Sequence, residues 1–70
     1  MNYRLESTDP ATGIRERMSL SAAGDAQAAE QMDAVRWRHE NAGERRILTL
    51  YRPEPDGWIE IKTARSRAAL

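Results

Sequence analysis

The chain contains no cysteine, which excludes disulfide bonds and cysteine-ligated zinc sites. It also lacks an apolar run long enough to span a membrane, and a basic-then-apolar start resembling a signal peptide. We therefore expect a cytoplasmic protein without a membrane partner. Eleven acidic residues balance eleven Lys and Arg residues, so the positive excess typical of nonspecific nucleic-acid binders is missing. This balance favours a protein partner over a nucleic acid, although it is compatible with a local basic patch.

Residue patterns for catalysis or metal binding are also missing from the sequence. His39 is the only histidine, and it has no histidine or cysteine companion that would complete a metal site. Glu54 and Asp56 flank Pro55 in a turn, and the pattern supplies no third ligand. The glycines are too dispersed for a phosphate-binding loop. We therefore expect a non-enzymatic protein with no cofactor and no metal.

Residues 44–63, ERRILTLYRPEPDGWIEIKT, predict a β-hairpin. Two runs rich in β-formers, at about 46–52 and 58–63, flank the turn-forming PEPDG segment. If Leu48 and Leu50 lie beside Ile59 and Ile61, the hairpin has one apolar face, and a one-residue slip would mix apolar with charged neighbours. The opposite face then carries Ile47, Thr49, Tyr51, Trp58, Glu60 and Lys62.

A second hairpin is predicted near the N-terminus, with strands at about 2–7 and 14–20 joined by STDPATG. Pro10 suits the start of the turn, and Gly13 suits a positive φ at its end. One face of the second strand is predicted to point towards the core. It carries three apolar side chains, those of Ile14, Met18 and Leu20, together with Glu16. We expect Glu16 to lie near the sheet edge, where its carboxylate reaches water.

Between the hairpins, residues of about 25–41 predict a helix. Most are good helix formers, and a narrow stripe of mainly small residues recurs at helical spacing: Ala28, Ala29, Met32, Val35 and Arg36. Asp25 is the predicted N-cap, with Ser21 as the alternative. Gly43 suits the left-handed position that ends a helix, with Asn41 as the alternative.

Together these elements predict one small α+β domain, a four-stranded antiparallel sheet (ββαββ) with one helix packed on one face. The strand order stays open. Residues 64–70, ARSRAAL, are short and unpatterned, so we expect them to form a frayed tail.

The order of strand, turn and strand, a helix entered through SLSAA, and then ILTLYR and GWIEIK resembles small ββαββ proteins of phages and mobile elements. Some type I anti-CRISPR proteins are of this kind. The resemblance spans residues 3–63. It implies a stoichiometric inhibitor that binds a bacterial surveillance complex and blocks guide or target recognition. Such inhibitors are often acidic mimics of nucleic acid, a pattern from which this neutral chain departs, and no functional residue is transferred.

The candidate binding residues are aromatic and basic side chains that the predicted strands place on the face away from the helix. They are Tyr51, Trp58, Arg15 and Arg17. Exposed aromatic side chains with arginines are typical anchors for a protein partner, and they also stack nucleobases. In the structural alternative these aromatics merely shield a small sheet, with arginine stems packed on the rings. A homodimer through this face or a sheet edge, in an otherwise uncharacterised structural domain, is a further alternative.

Arg45 and Arg46 give the nucleic-acid alternative its basic contacts. They directly precede the third predicted strand and could bind phosphates. A solvated strand entry is the structural interpretation of the same two residues.

Overall fold

A computed structural model describes residues 1–67 of the chain. In order, it contains β1 (Asn2–Thr8), β2 (Arg15–Ser21), α1 (Asp25–Asn41), β3 (Ile47–Glu54) and β4 (Gly57–Arg65). The strands form one antiparallel sheet in the order β2-β1-β3-β4, so β1 and β3 are central and β2 and β4 are edges. α1 covers one face of this sheet. The predicted ββαββ fold is confirmed.

The core lies between α1 and the two central strands. Every second side chain of β1 and β3 points at the helix because side chains alternate along a strand. The buried residues of α1, Ala28, Met32 and Val35, pack against these side chains. The buried apolar residues are Tyr3, Leu5, Ala22, Ala28, Met32, Val35, Leu48 and Leu50. Full burial of one leucine contributes about 1.5–3 kcal/mol, so the three leucines and Met32 stabilise most of the contact between helix and sheet.

The two ends of α1 differ in how well the sequence predicts them. Gly43 has φ +72°, and the amide of Glu44 donates to the carbonyl of His39 at 2.9 Å, which closes the helix as predicted. At the other end the predicted cap is wrong. Gly24 is the extended residue before the helix, and no side chain caps it. The carboxylate of Asp25 instead accepts hydrogen bonds from Tyr3 and Arg52.

The apolar pairing predicted within the hairpin of β3 and β4 is also wrong in part. A bulge between Leu50 and Tyr51 shifts the register, so that Lys62 faces Leu50 and Ala64 faces Leu48. Ile61 still packs against the core, but Ile59 is 45% exposed. Ile59 lies opposite Arg52 on the side of the bulge nearer the hairpin tip, and beyond the bulge Ala64 takes the place opposite Leu48.

Two segments differ from the predicted strand ends. Ile14, expected in the core face, lies in the turn before β2 and is 63% exposed. The prediction of a frayed tail is wrong for residues 64–67, because β4 continues to Arg65 and Ser66 is buried. The Ser66 hydroxyl accepts from the Arg46 amide at 2.7 Å and donates to the Glu44 carbonyl at 2.8 Å. The rest of the predicted tail, residues 68–70, lies outside the described residues.

Candidate binding face

The sheet face opposite α1, here called the outer face, is the candidate functional surface. Tyr3 and Leu5 point at α1, so strand alternation places Arg4 and Glu6 on the outer face. The registers then align side chains across the sheet in rows, of which one is Ser19, Arg4, Tyr51 and Glu60. Among the residues that the structure describes, no helix or second sheet covers this face.

Trp58 and Arg4 form a stacked pair on the outer face. The guanidinium carbon of Arg4 lies 4.3 Å from the centroid of the Trp58 ring, within cation–π range. Trp58 remains 42% exposed, and Tyr51 is half-buried beside Arg4 in the paired strand. We call Arg4, Tyr51 and Trp58 the Trp58 cluster. It brings together two aromatic rings on paired strands and one guanidinium group stacked on the indole ring.

A depression of about 340 Å³ at the tip of the hairpin of β3 and β4 adjoins the Trp58 cluster and is lined by residues 54–59. Glu54 forms an ion pair with Arg52, in which Nε of Arg52 lies 2.8 Å from Oε1 of Glu54. Asp56 is exposed and forms no ion pair within residues 1–67. The depression therefore combines the side chain of Trp58 with a carboxylate that has no ion pair within residues 1–67, a combination that can accommodate a cationic group.

The structure brings together only two of the four residues first proposed for this face. Tyr51 and Trp58 lie on the adjacent strands β3 and β4. Arg17 lies on the far edge strand β2 and is held by Glu6, with Nε 3.1 Å from Oε1. Arg15 pairs with Thr8 at the far corner of the sheet.

Arg4 is the arginine that sequence reasoning missed in the Trp58 cluster. Its alternation with Tyr3 and Leu5 places it on the outer face. Its position beside Tyr51, however, requires that β1 pairs with β3. Because the sequence does not determine the strand order, it predicts only Arg15 and Arg17 as the arginines of this face.

Arg45 and Arg46 lie at the opposite end of the sheet from the Trp58 cluster. The Ile47–Arg65 pair and the Pro53–Trp58 pair are six residue steps apart along β3, a distance of about 20 Å along a strand. Most of the Arg46 side chain is buried. Its Nη2 lies 2.6 Å from Oε2 of Glu44, and its Nη1 lies 3.6 Å from Oδ2 of Asp9. Arg45 is exposed. The two consecutive arginines therefore have different environments: within residues 1–67, Arg46 forms ion pairs and Arg45 forms none.

A polar cluster joins the start of α1 to the sheet. The Tyr3 hydroxyl donates to Oδ1 of Asp25 at 2.6 Å, and Nη1 of Arg52 donates to Oδ2 at 2.8 Å. The hydrogen bond from Tyr3, followed by the charge of Arg52, holds the pKa of Asp25 below its usual value. The same hydrogen bond raises the pKa of Tyr3 above its usual value. The cluster orients Arg52 and, through it, Glu54 at the base of the hairpin tip.

His39 joins the other end of α1 to the sheet. Its Nε2 lies 3.4 Å from the hydroxyl oxygen of buried Ser7, and its Nδ1 lies 3.5 Å from Oε1 of Glu44. These contacts tie the C-terminal end of the helix to β1 and to the segment before β3. Within residues 1–67, no three Asp, Glu or His side chains are grouped so that they could hold a metal ion.

Comparisons of the chain with protein-family profiles, with curated proteins and with solved structures find no match. In the described part of the chain, α1 is neither long nor apolar enough to cross a membrane.

Proposed function

We propose that this protein acts by binding rather than by catalysis, and that the Trp58 cluster of the outer face docks a protein partner. The observation that carries the proposal is the uncovered sheet face with Trp58 exposed beneath Arg4. Tryptophan, tyrosine and arginine are the residue types most enriched among the dominant contacts of protein interfaces. All three meet in this one cluster.

The environment of the cluster suggests the chemistry of the partner. Asp56 beside the hairpin-tip depression and Glu60 beside Tyr51 form no ion pairs within residues 1–67. Their charges favour a partner surface that presents arginine or lysine side chains around an apolar centre. The strand scaffold fixes Tyr51 and Trp58 before binding, so little conformational entropy is lost when the partner arrives.

Inhibition of a bacterial defence complex is one concrete form of this proposal. A small protein that covers the guide-binding or target-binding surface of a CRISPR complex needs a docking face but no catalytic residues. The support is the resemblance of the chain to type I anti-CRISPR proteins. Its test is target-DNA binding by a purified type I surveillance complex in the presence of increasing amounts of this protein.

The docking proposal is tested by affinity purification from the native host with three versions of the protein: the unchanged chain, Trp58→Ala and Trp37→Ala. Trp37 is the matched control, because it lies on α1 and is 64% exposed. We expect one protein to be retained by the unchanged chain and by Trp37→Ala but depleted with Trp58→Ala. Calorimetric titration with that protein should then show an affinity loss of more than about fivefold for Trp58→Ala, corresponding to about 1 kcal/mol.

Thermal unfolding of both variants separates lost contacts from lost folding. Trp58→Ala should still unfold cooperatively, because most of the core lies on the other face of the sheet. Equal partner affinity of Trp58→Ala and the unchanged chain would contradict the proposed docking face. A partner lost only with Trp37→Ala would place the docking surface on α1 instead.

A further inference from the structure

A second depression, of about 190 Å³, lies at the end of the sheet opposite the Trp58 cluster. We call it the Arg65 pocket, and it is lined by Pro10, Arg45, Arg46, Ile47, Arg65 and Ser66. It forms where the end of β4 pairs with the start of β3 and the turn between β1 and β2 closes over them. Three of its six residues are arginines.

Internal contacts fix one wall of the Arg65 pocket. Arg46 contacts both neighbouring carboxylates, those of Asp9 and Glu44, and its Nη1 donates to the Arg45 carbonyl at 2.8 Å. Ser66 is 6% exposed and ties the Arg46 amide to the Glu44 carbonyl. Arg46 thus takes up the carboxylates of Asp9 and Glu44. The positive charges of the other two arginines in the pocket have no carboxylate partner within residues 1–67.

Arg45 and Arg65 are both exposed, and neither forms an ion pair within residues 1–67. The same is true of Arg15, which shares a row across the sheet with Arg65 through Thr8 and Ile47. Three strand spacings separate Arg15 from Arg65, which is about 14 Å. The neutral chain therefore carries a row of free guanidinium groups along one end of its outer face.

The spacing and the lining indicate the class of ligand. A single phosphate cannot reach guanidinium groups spread over this row, whereas a polyanion contacts them in succession. Guanidinium groups bind phosphates through paired N–H donors. Ile47 and Pro10 add apolar surface, which suits the sugars and unstacked bases of a single strand.

We propose that the Arg65 pocket and Arg15 bind the phosphodiester backbone of a single-stranded nucleic acid. This site is independent of the protein-docking function proposed for the Trp58 cluster, because it uses different residues about 20 Å away along β3. The phosphates of the strand would contact Arg15, Arg45 and Arg65, the guanidinium groups that have no ion pair within residues 1–67.

The test is fluorescence anisotropy of a labelled 20-nucleotide oligo-dT strand, titrated with the full chain at several salt concentrations. Three backbone contacts predict a slope of about −2 for log affinity against log salt, or about a twentyfold loss of affinity between 50 and 200 mM salt. The double variant Arg45→Ala/Arg65→Ala should bind more weakly at low salt. Its slope should fall to about −0.7, the value for one remaining contact.

Two controls separate a specific site from net charge and from the Trp58 cluster. Arg38→Ala removes one exposed charge from α1 and should retain the slope, whereas Arg45→Ala alone should reduce it. Trp58→Ala should bind the oligonucleotide as the unchanged chain does, so failure here is distinguishable from failure of the docking proposal. Unfolding curves of the double variant confirm that it is folded.

Several results would overturn the inference. They are absence of binding at 50 mM salt, equal slopes for the double variant and the unchanged chain, or an equal loss with Arg38→Ala. Displacement of the strand by millimolar inorganic phosphate at constant ionic strength would show a site for free phosphate instead. Binding to vesicles containing anionic lipid, with no binding to the strand, would show a membrane surface as the ligand.

Discussion

Ser66→Ala tests the finding that the chain beyond residue 63 is part of the fold. The Ser66 hydroxyl is buried, accepts from the Arg46 amide at 2.7 Å and donates to the Glu44 carbonyl at 2.8 Å. Alanine leaves that amide without this partner, and an unsatisfied buried donor costs about 1–3 kcal/mol. A domain of this size has a free energy of unfolding of roughly 4–10 kcal/mol. The loss is therefore a large fraction of the total.

The assay is thermal and urea-induced unfolding followed by circular dichroism. Each kcal/mol lost lowers Tm by about 4–8 °C in a domain of this size. Ser19→Ala is the matched control, because Ser19 is exposed on the edge strand β2, and its change should stay within about 0.5 kcal/mol. If Ser66→Ala were as stable as Ser19→Ala, the end of β4 would not be anchored through this hydroxyl.

Two further predictions concern the ends of α1. The folded pKa of Asp25 lies below its usual value of 3.8, so its stabilising contribution is complete above that value and is lost as the pH falls through the folded pKa. Unfolding curves between pH 2 and 7 should show this acid loss, and Asp25→Asn or Tyr3→Phe should reduce its steepness; unchanged profiles would contradict the proposed hydrogen bond. Gly43→Ala should cost about 1 kcal/mol because its φ is +72°, whereas Gly24→Ala, in extended backbone with open space around it, should cost less in the same unfolding assay. Equal losses for the two glycines would contradict the helix ending.

The sequence predicts the fold well where one local rule decides the outcome. The helix bounds follow from composition and from Gly43, and the core positions of β1 and β3 follow from strand alternation. Prediction from the sequence fails where contacts between residues far apart in the chain decide the outcome. The carboxylate of Asp25 leaves its predicted capping role because Tyr3 and Arg52 reach it from two strands.

Long-range pairing also explains the errors in β4 and at the candidate site. The bulge opposite Leu50 has no signal in the residues of β4, yet it places Lys62 opposite Leu50 and Ala64 opposite Leu48. Arg4 could not be assigned to the Trp58 cluster without knowing that β1 pairs with β3. Likewise, Arg65 was placed in a tail, so its position beside Arg45 in a pocket was not predicted.

The fluorescence of Trp58 during a titration tests the docking proposal most directly. Trp37→Phe leaves Trp58 as the only tryptophan, and its 42% exposure makes it accessible to the quencher acrylamide. Titration with the partner recovered by affinity purification should shift the emission to shorter wavelength and reduce quenching in proportion to the fraction bound. Saturable binding, measured by calorimetry, with no change in the emission or quenching of Trp58 would contradict the account.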